Sequence, residues 1–185
     1  MNAAPPHLYS LLIYICIFTA AILFSKYIIT QYTNLSSNPG TRLFAIGFLS
    51  TILLAGINTI WSGSALFDLQ WHDTYWVIAT FHLYLAVALI LGLWTLAYYL
   101  IPTVMKRSFN TGLSAVHAWI SVATLLLIIF FVSGQGHYYK EANMYKSQYA
   151  DLFIIISLFI FLTSQLIFVI NLIYSLMKPQ QNKAL

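Results

Sequence analysis

The chain has 185 residues, of which 61% are hydrophobic and only 6% are charged. A soluble domain carries about 25% charged residues, so this composition excludes an ordinary soluble protein and predicts an integral membrane protein. The net charge of +4 comes from too few charged groups to form a nucleic-acid-binding surface. We therefore expect membrane lipid around the chain and no nucleic acid partner.

Five apolar runs are long enough to cross a bilayer, which takes about 20 residues each in helical form. They cover approximately residues 8–29, 43–66, 75–101, 115–133 and 152–177. The connections between them are short and contain turn-forming residues. We predict an all-α fold, an integral membrane bundle of five transmembrane helices that forms a single transmembrane domain over residues 1–185.

The orientation of the bundle is predicted from the distribution of basic residues, because Lys and Arg are enriched in cytoplasmic loops. Six basic residues and no acidic residue fall on one side of the membrane: Lys26, Arg42, Lys106, Arg107, Lys178 and Lys183. All four acidic residues and two lysines fall on the other side: Asp68, Asp73, Lys140, Glu141, Lys146 and Asp151. The N-terminus is then outside and the C-terminus cytoplasmic, and we expect the bacterial cytoplasmic membrane.

The third apolar run contains a histidine, His82, and an ionisable residue in a membrane segment is a candidate functional residue. It follows Tyr75 by seven residues, which places it about 10 Å below the outer end of the predicted helix. Ala79 and Ala86 lie three residues before it and four after it on the same predicted face, and small neighbours leave room for a flat macrocycle. A neutral imidazole is a good axial ligand for haem iron. The alternative is a histidine that hydrogen-bonds a group on a neighbouring helix.

A second axial ligand for such a haem is not evident in the sequence. His117 lies near the start of the fourth helix, close to the inner face and far in depth from His82. His72 and His137 lie in outer loops, and His7 is in the N-terminal tail. The second ligand would therefore come from another chain or from an exogenous ligand, or the position would stay open.

An outer-side group combines His72 with the carboxylates of Asp73 and Asp68. Groups of this kind can hold a divalent cation or hydrogen-bond a haem propionate. The alternative is a solvated polar loop, since loops are normally polar.

Polar side chains inside the apolar runs are few, and we interpret them as interhelical hydrogen-bonding groups. They are Asn58, Ser62, Ser121, Thr124, Thr163, Ser164, Gln165 and Asn171.

One stretch carries a specific family resemblance. His72-Asp-Thr-Tyr-Trp-Val-Ile-Ala-Thr-Phe-His82 resembles the tenth transmembrane helix of subunit I of the haem–copper respiratory oxidases, whose pattern is His-Asp-Thr-Tyr-x-Val-x-x-His-Phe-His. Val116-His-Ala-Trp119 resembles the start of the eleventh helix, and Gly136-His-Tyr-Tyr-Lys-Glu-Ala-Asn-Met-Tyr145 resembles the loop after it. The five runs together resemble helices eight to twelve of that subunit.

The resemblance implies a role for His82 and also shows departures from the family pattern. His82 matches the ligand of the low-spin haem, whereas Thr80 stands where the family has the ligand of the high-spin haem. Trp76 and Tyr84 would flank Thr80 on its helical face and fill that pocket. The copper ligands and the partner axial histidine of the family lie in helices that these five do not match. The family's Arg pair is replaced by Gly136-His137.

We therefore interpret the chain as a degenerate paralogue of subunit I, a membrane component of a respiratory terminal oxidase complex. It would carry one haem, of b or a type, on His82 for electron transfer, with no copper site and no oxygen reduction by this chain alone. His72 and Asp73 would contact a haem propionate or a divalent cation. One alternative is a cofactor-free accessory subunit that packs against a true subunit I. Another is a haem-handling or gas-sensing membrane protein. Partners would be other respiratory subunits or a second copy of the chain.

Overall fold

The computed structural model describes the backbone of residues 6–32, 38–62, 66–71, 74–138 and 148–177, with side chains mainly within 15–30, 38–60, 81–132 and 152–177. The elements in chain order are α1 (Pro6–Tyr32), α2 (Pro39–Ser62), β1 (Leu66–Trp71), β2 (Thr74–Ala79), α3 (Thr80–Met105), α4 (Thr111–Tyr138) and α5 (Gln148–Met177).

Among the described residues, four helices are long and apolar enough to cross a membrane: Pro39–Ile60, Phe81–Met105, Thr111–Val132 and Leu152–Met177. The chain is therefore an integral membrane protein, and the predicted bundle of membrane helices is confirmed. In α1 the described apolar stretch is Ile15–Tyr27, shorter than a full crossing. The fifth crossing, the single domain and the orientation of the termini remain predictions.

The start of the third helix differs from the prediction. The helix expected from Tyr75 begins at Thr80, and the preceding residues form the antiparallel hairpin of β1 and β2, in which Leu66 pairs with Ala79 and Trp71 with Thr74. Strand β2 has the sequence Thr-Tyr-Trp-Val-Ile-Ala, and aromatic and β-branched residues favour strands. Apolarity alone does not separate a short strand from a helical turn, so we predicted a start of the third helix that is too early in the chain.

Helices α2 and α4 form the centre of the bundle, with α1 and α3 packed on α2 and α5 packed on α4. Gly47 of α2 allows the close approach of these helices. A Cβ added there would lie 3.0 Å from a methyl group of Val122 on α4 and 3.3 Å from one of Leu91 on α3. The buried core of the bundle includes Phe44, Leu91 and Ile129, each with no exposed surface.

The connection between α3 and α4 sets the start of α4. Lys106 has a φ of 51°, and this left-handed residue ends α3. Asn110 then caps α4, because its Oδ1 accepts hydrogen bonds from the backbone N–H groups of Gly112 at 2.9 Å and Leu113 at 3.2 Å. The cap fixes the start of α4 and therefore the helical positions of Ser114 and His117, which face the bundle.

Candidate functional site

His82 lies on the surface of the bundle, in the first turn of α3. Its side chain is exposed, and its ring makes an edge contact with Phe81, with 6.1 Å between ring centroids. The predicted depth of about 10 Å is wrong for this helix, because α3 begins at Thr80 and two residues of helix rise only about 3 Å. The imidazole therefore stands near one end of the span and points away from the neighbouring helices.

Of the two small neighbours predicted beside His82, one is on the same helix. Ala86 follows His82 by one turn and is exposed with it. Ala79 belongs to β2, so the predicted helical-face relation to His82 does not hold. The outward face of α3 also carries Phe81, Leu85 and Leu89, so this face is apolar except for the His82 imidazole.

The rest of the predicted site is outside the residues that the structure describes. This applies to His72 and Asp73, and to the side chain of Thr80. Trp76 lies in β2 and does not flank Thr80 on a helical face, whereas Tyr84 is on α3 and only 1% exposed. Within the described residues, no three His, Cys, Asp or Glu side chains come together as a metal-binding group.

The second histidine with a described side chain, His117, is completely buried between α3, α4 and α5. The Tyr98 hydroxyl lies 2.9 Å from its Nδ1, and Gln165 Oε1 lies 3.3 Å from its Nε2. Both ring nitrogens are thus occupied by protein groups. We did not predict this cluster, because its members are far apart in sequence.

The hydrogen bonds of Gln165 determine which nitrogen of His117 carries the proton. Gln165 Nε2 donates to the Phe161 carbonyl at 2.8 Å and to Ser164 Oγ at 2.9 Å, so its Oε1 must face His117. His117 Nε2 then donates to that oxygen. In the neutral imidazole Nδ1 is consequently the acceptor, and Tyr98 donates its hydroxyl proton to it.

Aromatic rings enclose His117 on several sides. The ring centroids of Trp94, Phe44, Tyr98 and Phe168 lie 5.0, 5.3, 5.7 and 5.8 Å from that of the imidazole. Three helices besides α4 contribute to this enclosure, since Phe44 is on α2, Trp94 and Tyr98 are on α3, and Phe168 is on α5. The interior around His117 is therefore filled by protein side chains.

Further polar contacts connect the same helices, in agreement with the interhelical role predicted for them. Asn171 Nδ2 donates to Ser114 Oγ at 3.0 Å, and Asn171 Oδ1 accepts from the backbone N–H of Asn110 at 2.9 Å. Ser121 and Ser164 are joined at 2.9 Å across α4 and α5. Thr124 and Thr163 behave differently, because each bonds a carbonyl of its own helix.

A largely apolar groove of about 420 Å³ lies between α3 and α5, next to the His117 cluster. Ile90, Leu93, Trp94 and Ala97 of α3 line one side, and Phe161 and Gln165 of α5 line the other. Trp94 and Gln165 belong both to this groove and to the surroundings of His117. They connect the buried cluster to the surface of the bundle.

Comparisons with known proteins point to one family. The family model described as Cytochrome C and Quinol oxidase polypeptide I matches residues 7–151. A heme-copper oxidase subunit I+III from Aeropyrum pernix is 29% identical over 156 residues, 83% of this chain and 19% of that protein. A cytochrome c oxidase subunit 1 from Thermostichus vulcanus is 31% identical over 140 residues, 72% of this chain and 25% of that protein. A cytochrome c oxidase subunit 1 from Debaryomyces hansenii is 31% identical over 97 residues, which are 51% of this chain and 18% of that protein.

The chain spans a quarter or less of the length of these relatives. No solved structure matches it significantly.

Proposed function

The chain belongs to the cytochrome c and quinol oxidase polypeptide I family, and on this premise we propose that it is a subunit I-like membrane component of a haem–copper-type respiratory complex. Its role there is electron transfer through one haem shared with another chain. This chain alone does not reduce oxygen, because Thr80 stands where the resemblance expects the ligand of the high-spin haem.

The observation that carries the haem proposal is the joint exposure of His82 and Ala86 on the outward face of α3. An imidazole that points out of its own bundle is available to iron, and a small side chain one turn away leaves the helix surface open to a flat ring. The edge contact of the Phe81 ring restricts the orientation of the imidazole. The described residues would thus fit one side of a haem, and His82 would hold its iron.

The second side of the haem site has to come from elsewhere. His117, the other histidine with a described side chain, bonds Tyr98 and Gln165 and is enclosed by aromatic rings. We therefore assign the second ligand to a partner chain. His72 and Asp73 are proposed as contacts to a propionate or a divalent cation at the same end of α3.

When bound, the haem would supply reversible one-electron transfer. The chain's own part is to hold the iron through His82, to keep the approach open at Ala86, and to exclude water with the apolar side chains of Leu85 and Leu89.

An absorption spectrum of the protein purified from membranes tests the haem proposal. We expect a Soret band in the wild type and its loss in His82→Ala. His82→Met should retain haem with a shifted spectrum, because a thioether is also an axial ligand. A Soret band of unchanged position and intensity in His82→Ala would contradict the assignment.

Two variants of α3 test whether the helix surface beside His82 is open to a haem. Ala86→Phe keeps the ligand but places a ring one turn away, so we expect the haem content to fall. Val104→Phe adds the same ring near the other end of α3, where Val104 is 77% exposed, and should leave the haem content unchanged. Equal haem content in both variants would show that the macrocycle does not lie against Ala86.

A cofactor-free accessory subunit is the second candidate, and the filled surroundings of His117 favour it, because the aromatic rings leave no space for a cofactor beside that imidazole. This candidate predicts a colourless protein that co-purifies with oxidase subunits. A third outcome, a five-coordinate haem that binds carbon monoxide, would instead support haem handling or gas sensing.

A further inference from the structure

Tyr98 and His117 form a buried phenol–imidazole pair that the proposed haem site does not use. Neither side chain has exposed surface, and they lie on different helices, α3 and α4. The oxidation of a phenol by one electron makes its proton strongly acidic, so a tyrosine is oxidised readily only when a base already accepts its hydrogen bond. The 2.9 Å contact from the Tyr98 hydroxyl to His117 Nδ1 supplies such a base.

Burial disfavours the positive charge that His117 would gain, and its polar and aromatic neighbours partly offset this cost. Gln165 Oε1 accepts the Nε2 proton, and the Gln165 amide is itself held by the Phe161 carbonyl and Ser164 Oγ. An aromatic ring attracts a cation that lies over its face within about 6 Å of its centroid. Those of Phe44, Trp94 and Phe168 all meet this distance from the imidazole.

Trp94 gives this pair a connection to the surface. It lines the groove between α3 and α5, and its ring centroid is 5.0 Å from that of His117. Tyr98 follows Trp94 by one helical turn, and both rings contact Phe44 and Phe168. An electron can therefore leave Tyr98 through aromatic contacts toward the groove, while water remains excluded from the phenol.

We propose that Tyr98 is a redox-active tyrosine and that His117 accepts its proton. In the forward step the phenol ring gives one electron to a one-electron oxidant of the metal-complex class. The Oη–H bond of Tyr98 breaks as the Nδ1–H bond of His117 forms. The products are a neutral Tyr98 radical, a protonated His117 and the reduced oxidant, and reduction by one electron reverses every change. Gln165 is a positioning residue, because it acts only through His117. The proposal does not depend on haem binding at His82.

The test uses the full chain in phosphatidylcholine nanodiscs, with photogenerated tris-bipyridine ruthenium(III) as the oxidant and electron paramagnetic resonance as the readout. We expect a neutral tyrosyl signal that narrows when the protein contains ring-deuterated tyrosine. Tyr98→Phe should remove most of this signal. Tyr99→Phe, a change at the adjacent and exposed tyrosine, should not.

The proton acceptor is tested separately from the radical. His117→Phe keeps a ring in the cavity but removes the base, and we expect most of the signal to be lost although Tyr98 is present. Gln165→Leu should reduce the signal, whereas Gln165→Glu, which keeps an oxygen acceptor for Nε2–H, should largely restore it. A full signal in Tyr98→Phe or in His117→Phe would overturn the proposal.

A measurement on the unmodified protein avoids any effect of substitutions on folding. Electron–nuclear double resonance on the wild-type radical should detect one hydrogen-bonded proton that exchanges slowly after transfer to D2O, because the pair is buried. The absence of a tyrosyl signal, or a proton that exchanges at once with solvent, would refute the assignment without the use of a variant.

Discussion

His82 and His117 are the two histidines whose side chains the structure describes, and they have opposite surroundings. His82 is exposed on α3 and contacts only the edge of Phe81 among the aromatic rings described around it, whereas His117 has two hydrogen-bonding partners and no exposed surface. An accessible imidazole is available to a ligand, and an enclosed one fixes its neighbours or exchanges a proton with them. The two histidines are therefore suited to different purposes in the same small bundle.

At the residue scale, the buried network predicts a difference between two neighbouring positions of α5. Gln165→Leu leaves His117 Nε2–H without its acceptor and should lower the free energy of unfolding by about 1–3 kcal/mol. Thr163→Val is the matched change at an exposed residue that bonds only its own helix, and its effect should stay within about 0.5 kcal/mol. Equilibrium unfolding in mixed detergent micelles measures both. Equal losses would mean that the His117 network does not stabilise the bundle.

At the scale of elements, the glycines of α2 distinguish close packing from open space. Gly47→Ala puts a Cβ 3.0 Å from Val122 and should destabilise the bundle by about 1–3 kcal/mol. Gly56→Ala is the control, because nothing lies within 4 Å of an added Cβ, and it should be neutral or stabilise by up to about 1 kcal/mol. Unfolding midpoints of the two variants give the comparison. If Val122→Ala did not restore the stability of Gly47→Ala, the clash would lie elsewhere.

The elements also show what the sequence could predict. Apolar length was sufficient to predict α2, α4 and α5 as membrane helices, because a membrane helix has to satisfy its own backbone hydrogen bonds. The bounds of α2 were less accurate, since it begins and ends four residues earlier than predicted and Leu66 belongs to β1. It was not sufficient at Tyr75, where the residues favour a strand. His82 was recognised as a candidate because it is ionisable in an apolar run. Its exposure depends on which face of α3 meets α2, and the nearly uniform apolarity of these helices does not reveal that face.

The His117 cluster could not be predicted for a different reason. Tyr98 precedes His117 by 19 residues, and Gln165 follows it by 48, so their contact depends on the packing of three helices. The sequence signal was limited to polar residues in apolar runs, which predicted interhelical bonding but not the partners. Ser121, Ser164 and Asn171 confirmed that interpretation. The hydroxyls of Thr124 and Thr163 instead donate hydrogen bonds to backbone carbonyls of their own helices.

At the scale of the whole molecule, the bundle leaves much apolar surface uncovered. In the most apolar part of α4 half of the residues are buried, but the fraction falls to 28% in α3 and 11% in α5. The outward faces of α3 and α5 are therefore available to lipid or to other chains. Because this face of α3 is exposed and carries His82, we propose that it meets another subunit.

The most direct test of this account is the reduced-minus-oxidised spectrum of the complex purified from native membranes through a tag on this chain. We predict co-purifying oxidase subunits and a low-spin haem band that disappears in His82→Ala while those subunits are still recovered. Recovery of the same subunits with an unchanged haem spectrum, or of the wild-type chain with no other subunit, would contradict the proposed role.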